Sequence, residues 1–175
     1  RRHSFPTRRS SDLNLTIQQA ALTFGGLNPA RDQVLAALLK LCKKPKEAAK
    51  VLKLTPKQLG AIDVNLAVPT APTMPAIQRY TGTLYDAIDA QNLKPEQVRR
   101  AKDTVLIQSA LFGLIPATDL IPNYRLSGTT NLPGINLKDI WAPAHEPIWK
   151  RLEDGPIIDL RSKAYAELAP IPADV

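Results

Sequence analysis

The sequence is poor in the residue types that build covalent or metal-bound sites. Cys42 is its single cysteine, so no disulfide can form within the chain, and a reducing cytoplasm is the expected compartment. His145 stands next to Glu146 but has no second histidine or cysteine at ligand spacing, which argues against a metal site. We therefore expect neither a bound metal nor a cofactor.

Other absences narrow the function further. No apolar run approaches the roughly 20 residues that cross a bilayer, so no membrane span is expected. Gly25, Gly26 and Gly82 form no phosphate-binding glycine pattern, and no serine or cysteine lies in a nucleophile motif beside a histidine. The motifs thus name no catalytic residue. Aromatic residues make up 5% of the chain, and Trp141 and Trp149 are expected to pack in the core.

The first 13 residues differ from the rest and change the charge argument. They resemble the conceptual translation of a sequencing adapter, and they contain no apolar or amphipathic targeting pattern, so we interpret residues 1–13 as a non-native tail and 14–175 as the domain. The whole chain carries 23 basic and 16 acidic residues, a net charge of +7. The tail holds four arginines and one aspartate, which leaves +4 for the domain. A charge of this size does not by itself indicate nucleic-acid binding.

Apolar spacing and proline positions predict a helical first half. Asn28 and Pro29 begin a helix over 29–43, and two shorter helices follow it up to about residue 66. Prolines at three nearby positions predict an extended connector over 69–75. A further helix is predicted over 95–102.

The second half alternates between short strands and helices. A buried strand is predicted from Val105, and glycine and prolines beyond Ser109 predict an irregular loop. Two short helical pieces are expected over 136–140 and 147–152, a second buried strand over 156–160, and a helix after Ser162. The pattern indicates a mixed α/β (α+β) fold, with a helical N-terminal half followed by short buried strands alternating with helices.

Three ordered blocks resemble one family. Ser109–Leu126 reads SALFGLIPATDLIPNYRL, Arg79–Ala87 reads RYTGTLYDA, and Ile158–Tyr165 reads IDLRSKAY. Together they resemble the signatures of the YaaA family of bacterial peroxide-stress proteins. At three positions the chain departs from the family pattern, because Ala110, Pro116 and Ala117 replace a usual glycine, arginine and proline. A role of the family arginine therefore cannot be carried over.

The resemblance implies a cytoplasmic, non-enzymatic protein of the oxidative stress response that binds DNA and helps to limit iron-driven damage. Members of the family open and close with segments that this sequence does not contain. We therefore expect a fragment, an incomplete single domain that lacks the native N-terminus and a C-terminal part.

A lysine-rich stretch is the candidate DNA-binding site. Its lysines fall within eighteen residues that contain one acid, Glu47, and they span a predicted helix-turn-helix or helix-hairpin-helix-like arrangement. Such an arrangement would contact phosphates of double-stranded or structured DNA without reading sequence. The alternative is a basic face that only contacts water. The predicted DNA-binding residues are Lys43, Lys44, Lys46, Lys50, Lys53 and Lys57, with Arg99, Arg100 and Lys102 on the helix over 95–102.

A second candidate is a cleft for an anionic substrate or ligand, which would make the protein an enzyme or a small-ligand binder. Its five residues follow two predicted strands, so their loops would converge if those strands were parallel neighbours. The alternative is structural: Asp119 and Arg125 pair to hold the loop, and Ser162 only caps a helix. The predicted cleft residues are Asp119, Tyr124, Arg125, Arg161 and Ser162.

Overall fold

A computed structural model describes residues 22–90, 92–152 and 155–173, so the predicted tail over 1–13 lies outside the described residues. Helices and short strands share one hydrophobic core. The helices are α1 (Asn28–Cys42), α2 (Pro45–Val51), α3 (Ala61–Ala67), α4 (Ala76–Arg79), α5 (Thr83–Ile88), α6 (Pro95–Thr104), α7 (Leu137–Trp149) and α8 (Lys163–Ala166). The strands are β1 (Thr73–Pro75), β2 (Leu106–Ser109), β3 (Gly113–Pro116) and β4 (Leu120–Pro122), and 3-10 turns cover Gly25–Leu27 and Pro56–Gln58.

The helical first half is confirmed. In α1, Val34, Leu38 and Leu41 are buried at spacings of four and three, which places them on one stripe of the helix. This stripe packs against α2 and α3, which end the helical half. The connector that follows is partly a strand, because Thr73–Pro75 pairs with the later chain.

Beyond the strand from Leu106, the prediction of an irregular loop was wrong. Strands β2 and β3 form an antiparallel hairpin whose last pair joins Ser109 to Gly113. Gly113 has a φ of 67°, a left-handed conformation that closes three-residue hairpin loops and that favours glycine. The Ser109 hydroxyl accepts the amides of Leu111 and Phe112 at 3.2 and 2.9 Å, which stabilises the turn. The glycine taken as a breaker is therefore the turn residue.

The second sheet is also antiparallel. Strand β1 pairs with β4, with Met74 opposite Ile121. The loop between β3 and β4 is fixed as well, because the amide of Ile77 donates to the carbonyl of Ala117 at 2.8 Å. The predicted cleft requires the strand from Val105 to pair in parallel with a strand over 156–160, and among the described residues both sheets are antiparallel and neither includes 156–160.

Helix α7 replaces the two predicted helical pieces. Pro143 and Pro147 both lie inside it, although each removes an amide from the helical ladder. The helix continues because Trp141, His145 and Ile148 recur at spacings of four and three and are all buried. The free energy gained by burying this apolar stripe exceeds the cost of the two lost hydrogen bonds. Both tryptophans are buried, as predicted.

The predicted buried strand over 156–160 was wrong. The segment is irregular, and its Ile158 and Leu160 side chains are 81% and 68% exposed. Apolar content alone made it look like a strand, but no strand of the described residues pairs with it. The short helix expected after Ser162 is present as α8. Among the residues that the structure describes, no helix is both long and apolar enough to cross a membrane.

Candidate functional site

Seven lysines lie on consecutive elements of the helical half, and all are exposed. We call this set the lysine surface: Lys40, Lys43, Lys44, Lys46, Lys50, Lys53 and Lys57. It begins at the last turn of α1, crosses the two-residue link to α2 and ends in the 3-10 turn Pro56–Gln58. Helices α1 and α2 pack on each other, and Ala48 is buried on the inner side of α2. The lysine side chains are therefore held on the solvent side of a packed pair of helices.

Hydrogen bonds fix the turn that carries Lys53. The amide of Leu54 donates to the carbonyl of Ala49 at 2.9 Å, and the amide of Lys53 donates to that of Lys50 at 3.2 Å. These two bonds are those of a Schellman motif, whose left-handed position is usually glycine. Here Lys53 occupies that position with a φ of 53°. The chain thus places a charged side chain where a glycine would be less strained.

Little negative charge offsets the lysine surface. Glu47 is the one acid between Lys40 and Lys57, and it lies 3.2 Å from the Lys44 ammonium. The side chains of this ion pair are 67% and 42% exposed, so water screens it strongly. The segment over 40–57 therefore presents a net positive charge to solvent.

The other three predicted DNA-binding residues lie on α6. Arg99, Arg100 and Lys102 are exposed, and Ala101 between them is buried. Helix α6 packs on β3, and its three basic side chains remain exposed to solvent. Their predicted role in DNA binding stays a prediction.

Asp119 in the predicted cleft is tied to the start of the described chain. Its carboxylate accepts the amide and the hydroxyl of Thr23, both at 2.8 Å. Close to this contact, the buried Arg31 donates to the carbonyls of Thr23 and Phe112 at 2.8 and 2.9 Å. Burial lowers the pKa of Arg31 to about 10, and the nearby charge of Asp119 opposes this shift. Asp119 therefore helps to hold the chain around Thr23.

Tyr124 lies in a buried chain of hydroxyl groups. Its phenol oxygen lies 2.8 Å from the Tyr80 hydroxyl and 2.8 Å from the Ser109 hydroxyl. Because Ser109 already accepts two backbone amides, its own hydrogen points to Tyr124. Burial raises the pKa of Tyr124 well above its usual value, so the phenol stays protonated. The side chain links the hairpin to the segment after α4.

Arg125 is joined through its backbone to α3. Its amide donates to the side-chain oxygen of Asn65 at 2.7 Å, and its carbonyl accepts from the Asn65 nitrogen at 2.9 Å. Asn65 is fully buried, so one amide side chain satisfies both backbone groups of the loop. Partial burial lowers the pKa of Arg125.

Arg161 and Ser162 contact a different part of the fold. The Arg161 guanidinium donates to Asp159 from Nε and Nη2, both at 2.8 Å, and to the carbonyl of Ala169 at 2.9 Å. It also stacks 5.5 Å above the Trp149 ring. Hydrogen bonding from Arg161 lowers the pKa of Asp159. Ser162 is exposed and begins α8 through its carbonyl, with no capping bond from its hydroxyl.

Sequence reasoning missed the buried polar residues that fix these loops. Arg31 and Arg79 are both buried, and Arg79 donates to the carbonyl of Ile121 from Nε and Nη2 at 3.3 and 3.1 Å. A signal for Arg31 was available, because it precedes Val34 and Leu38 at helical spacing on the apolar stripe of α1. Arg79 had no comparable signal. No group of three potential metal ligands occurs within the described ranges.

Comparison with known proteins identifies relatives over most of the chain. The sequence profile described as peroxide stress protein YaaA matches residues 11–173. A UPF0246 protein of Corynebacterium glutamicum is 45% identical over 154 residues, which cover 84% of this chain and 59% of the relative. A UPF0246 protein of Streptomyces coelicolor is 38% identical over 162 residues, covering 91% of this chain and 62% of the relative.

The chain thus spans about three fifths of the length of the curated relatives it matches. The profile match covers more than half of the chain, and it includes the three blocks around Arg79, Ser109 and Ile158. The protein belongs to the peroxide stress protein YaaA family.

Proposed function

We propose that the protein acts in the cytoplasm as a non-enzymatic DNA-binding protein of the peroxide-stress response, which helps to limit iron-driven damage. DNA binding is assigned to the lysine surface, with Arg99, Arg100 and Lys102 as further phosphate contacts. The observation that carries the proposal is the continuous exposure of seven lysines around a single acid. Membership of the family supports a role in the peroxide-stress response, and the positive charge of the lysine surface supports DNA as the binding partner.

The chemistry of the surface favours a phosphate backbone over a base-specific contact. Lysine ammonium groups on flexible stems bind phosphates as point charges, whereas base recognition uses planar bidentate side chains. The segment over 40–57 contains no arginine, asparagine, glutamine or aromatic residue. One glutamine, Gln58, directly follows it. We therefore expect binding to many sequences, with affinity that falls steeply as salt rises.

The alternative cleft has less support. Asp119, Tyr124 and Arg161 make internal hydrogen bonds that account for much of their polar character. These bonds join Asp119 to Thr23, Tyr124 to Ser109 and Arg161 to Asp159, which are three separate places in the sequence. These contacts therefore suit structural roles in holding loops.

A salt titration of DNA binding tests the proposal. Replacement of Lys43, Lys44, Lys46 and Lys50 by glutamate should weaken affinity for a short duplex at least tenfold. The slope of log K against log salt should become shallower by about 3 to 4, since each phosphate contact contributes about 0.9. Fluorescence anisotropy over a salt series measures both quantities.

A matched variant separates the location of charge from its amount. Lys138, Lys150, Arg151 and Lys163 are exposed on or beside α7 and α8, and their replacement by glutamate changes net charge by the same amount. We expect this control to lower affinity only weakly and to leave most of the slope. Equal effects of the two quadruple variants would reject the lysine surface as the binding site.

A further inference from the structure

Two buried polar atoms beside His145 have no hydrogen-bond partner among the residues that the structure describes. They are Oε1 of Gln108 and Nε1 of Trp149. Gln108 is 7% exposed and Trp149 is 3% exposed, so both side chains are more than nine-tenths buried. Unpaired groups of this kind are costly, and nearly all buried polar atoms in native proteins have a protein or small-molecule partner.

His145 fixes the direction of the Gln108 amide. The backbone amide of Leu114 can only donate, and it lies 2.9 Å from His145 Nε2, so this nitrogen carries no proton. The other ring nitrogen, Nδ1, donates to the carbonyl of Trp141 at 2.6 Å. Gln108 must therefore direct its NH₂ group to His145 Nε2, at 3.4 Å. A flipped amide would set an oxygen against a lone pair, so Oε1 has to point elsewhere as an acceptor.

Trp149, which stacks on the His145 ring, supplies a hydrogen-bond donor that complements the Gln108 oxygen. Its ring stacks on that of His145 with centroids 5.8 Å apart and an interplanar angle of 29°. The Arg161 guanidinium lies 5.5 Å from the centre of the Trp149 ring and is held by Asp159 and Ala169. Indole Nε1 can only donate, and an amide oxygen can only accept. Two side chains that touch one ring thus present one buried donor and one buried acceptor.

We propose that Gln108 Oε1 and Trp149 Nε1 hold one small uncharged molecule beside His145 through its hydroxyl group. The hydroxyl hydrogen donates to Gln108 Oε1, and the hydroxyl oxygen accepts from Trp149 Nε1. An ion is disfavoured because burial of an unpaired charge is far more costly than burial of a neutral hydroxyl. Water and hydrogen peroxide share this chemistry. The site is independent of the lysine surface and of the DNA-binding proposal.

Nitrogen-15 NMR of the two indole groups tests the site with a control inside the same molecule. The chain has two tryptophans, and Trp141 Nε1 donates to the carbonyl of Ala110 at 3.0 Å. Trp149→Phe assigns the two signals. We expect the Trp149 indole proton to show magnetisation transfer to a bound hydroxyl, and the Trp141 proton to show none.

Addition of hydrogen peroxide then distinguishes the two sources of the hydroxyl group. A saturable shift confined to the Trp149 indole signal identifies hydrogen peroxide as an occupant. An unchanged signal that keeps its transfer to water identifies water. The absence of both the transfer and the shift would overturn the proposal.

Unfolding of single and double variants gives a second, independent readout. Trp149→Phe removes the donor and keeps a smaller aromatic ring, and Gln108→Met removes the acceptor and keeps the length. If a molecule joins the two atoms, each change lowers the urea midpoint, and the double variant loses less than the sum. If the atoms have no common ligand, the two effects add, because Trp149→Phe then costs stability only through the smaller ring in the core.

Discussion

His145 connects the β2–β3 hairpin to helix α7. It accepts the amide of Leu114 in β3 and donates to the carbonyl of Trp141 one helical turn away. Burial lowers the pKa of His145 to about 4, so the ring is neutral at physiological pH. The sequence offered only a lone histidine without partners at ligand spacing. Its role depends on which buried amide faces it, and spacing along the chain cannot show that.

The lowered pKa of His145 makes folding stability depend on pH. The folded pKa of about 4 lies below the unfolded value of about 6.5, so the unfolded chain binds the proton first as pH falls. The contribution of this group is complete above about pH 6.5 and is lost progressively down to about pH 4, by about 3 kcal/mol. Urea unfolding at several pH values measures the loss.

The control for this prediction is His145→Gln, which keeps an acceptor for the Leu114 amide and does not titrate. We expect the variant to be less stable at neutral pH and to show a flatter profile between about pH 6.5 and 4. Parallel profiles of the two proteins would assign the pH dependence to other groups.

Gly113 is a second residue on which the hairpin depends. A Cβ atom at this position would lie 2.7 Å from the Trp141 ring, and the φ of 67° is itself unfavourable for alanine. We expect Gly113→Ala to destabilise the fold by more than about 2 kcal/mol, because steric overlap adds to backbone strain. Gly134→Ala is the control, since Gly134 has a φ of 82° and open space around it. It should cost about 1 kcal/mol. Equal losses in thermal unfolding would exclude the contact with Trp141.

At the scale of elements, helices were predicted better than strands. The helix over 29–43 was found because three apolar residues repeat at its period within one continuous segment. The hairpin was missed because Gly113 was interpreted as a breaker, whereas its left-handed conformation closes a tight turn between two adjacent strands. For the segment over 156–160 the error was the reverse, because a strand was predicted where none forms. An apolar run without a pairing strand stays irregular. The periodicity of a helix can be seen within one segment of the sequence, whereas a strand also needs a partner strand to pair with.

Lys53, at the end of α2, has both a strained backbone conformation and a side-chain charge that belongs to the lysine surface. Because its φ is 53° at the usual glycine position of a Schellman motif, Lys53→Gly should raise folding stability by about 0.5–1 kcal/mol. The same change removes a lysine from the lysine surface, so DNA affinity should fall and the salt slope should become shallower by about 1. Stability and binding are thus expected to change in opposite directions.

The control for Lys53 is Lys53→Ala, which removes the charge and keeps the strained backbone. We expect it to weaken DNA binding as much as Lys53→Gly and to leave stability nearly unchanged. If Lys53→Gly binds DNA like the unmodified chain, Lys53 makes no phosphate contact.

At the scale of the whole molecule, the two candidate sites differed in how well the sequence predicted them. The lysine surface is contiguous, so its exposure on packed helices followed from one segment over 40–57. The cleft joined residues near 119–125 to residues 161 and 162, and it depended on strands being parallel. That reason fails because residues 156–160 form no strand and cannot pair with β2. A site built from distant segments requires the topology first, and the topology here rests on buried contacts of Arg31, Arg79 and Asn65.

Residues 1–13 and the lysine surface both contribute to the net positive charge of the chain. Removal of residues 1–13 lowers the net charge from +7 to +4, since the segment has four arginines and one aspartate. We expect this deletion to weaken DNA binding modestly through long-range attraction. The glutamate variant at Lys43, Lys44, Lys46 and Lys50 should lose affinity by the same factor, within about twofold, with and without residues 1–13, because distant independent sites add. Anisotropy titrations at one salt concentration measure the four proteins. If the lysine changes have no effect once residues 1–13 are removed, the basic tail is the DNA contact and the folded domain is not.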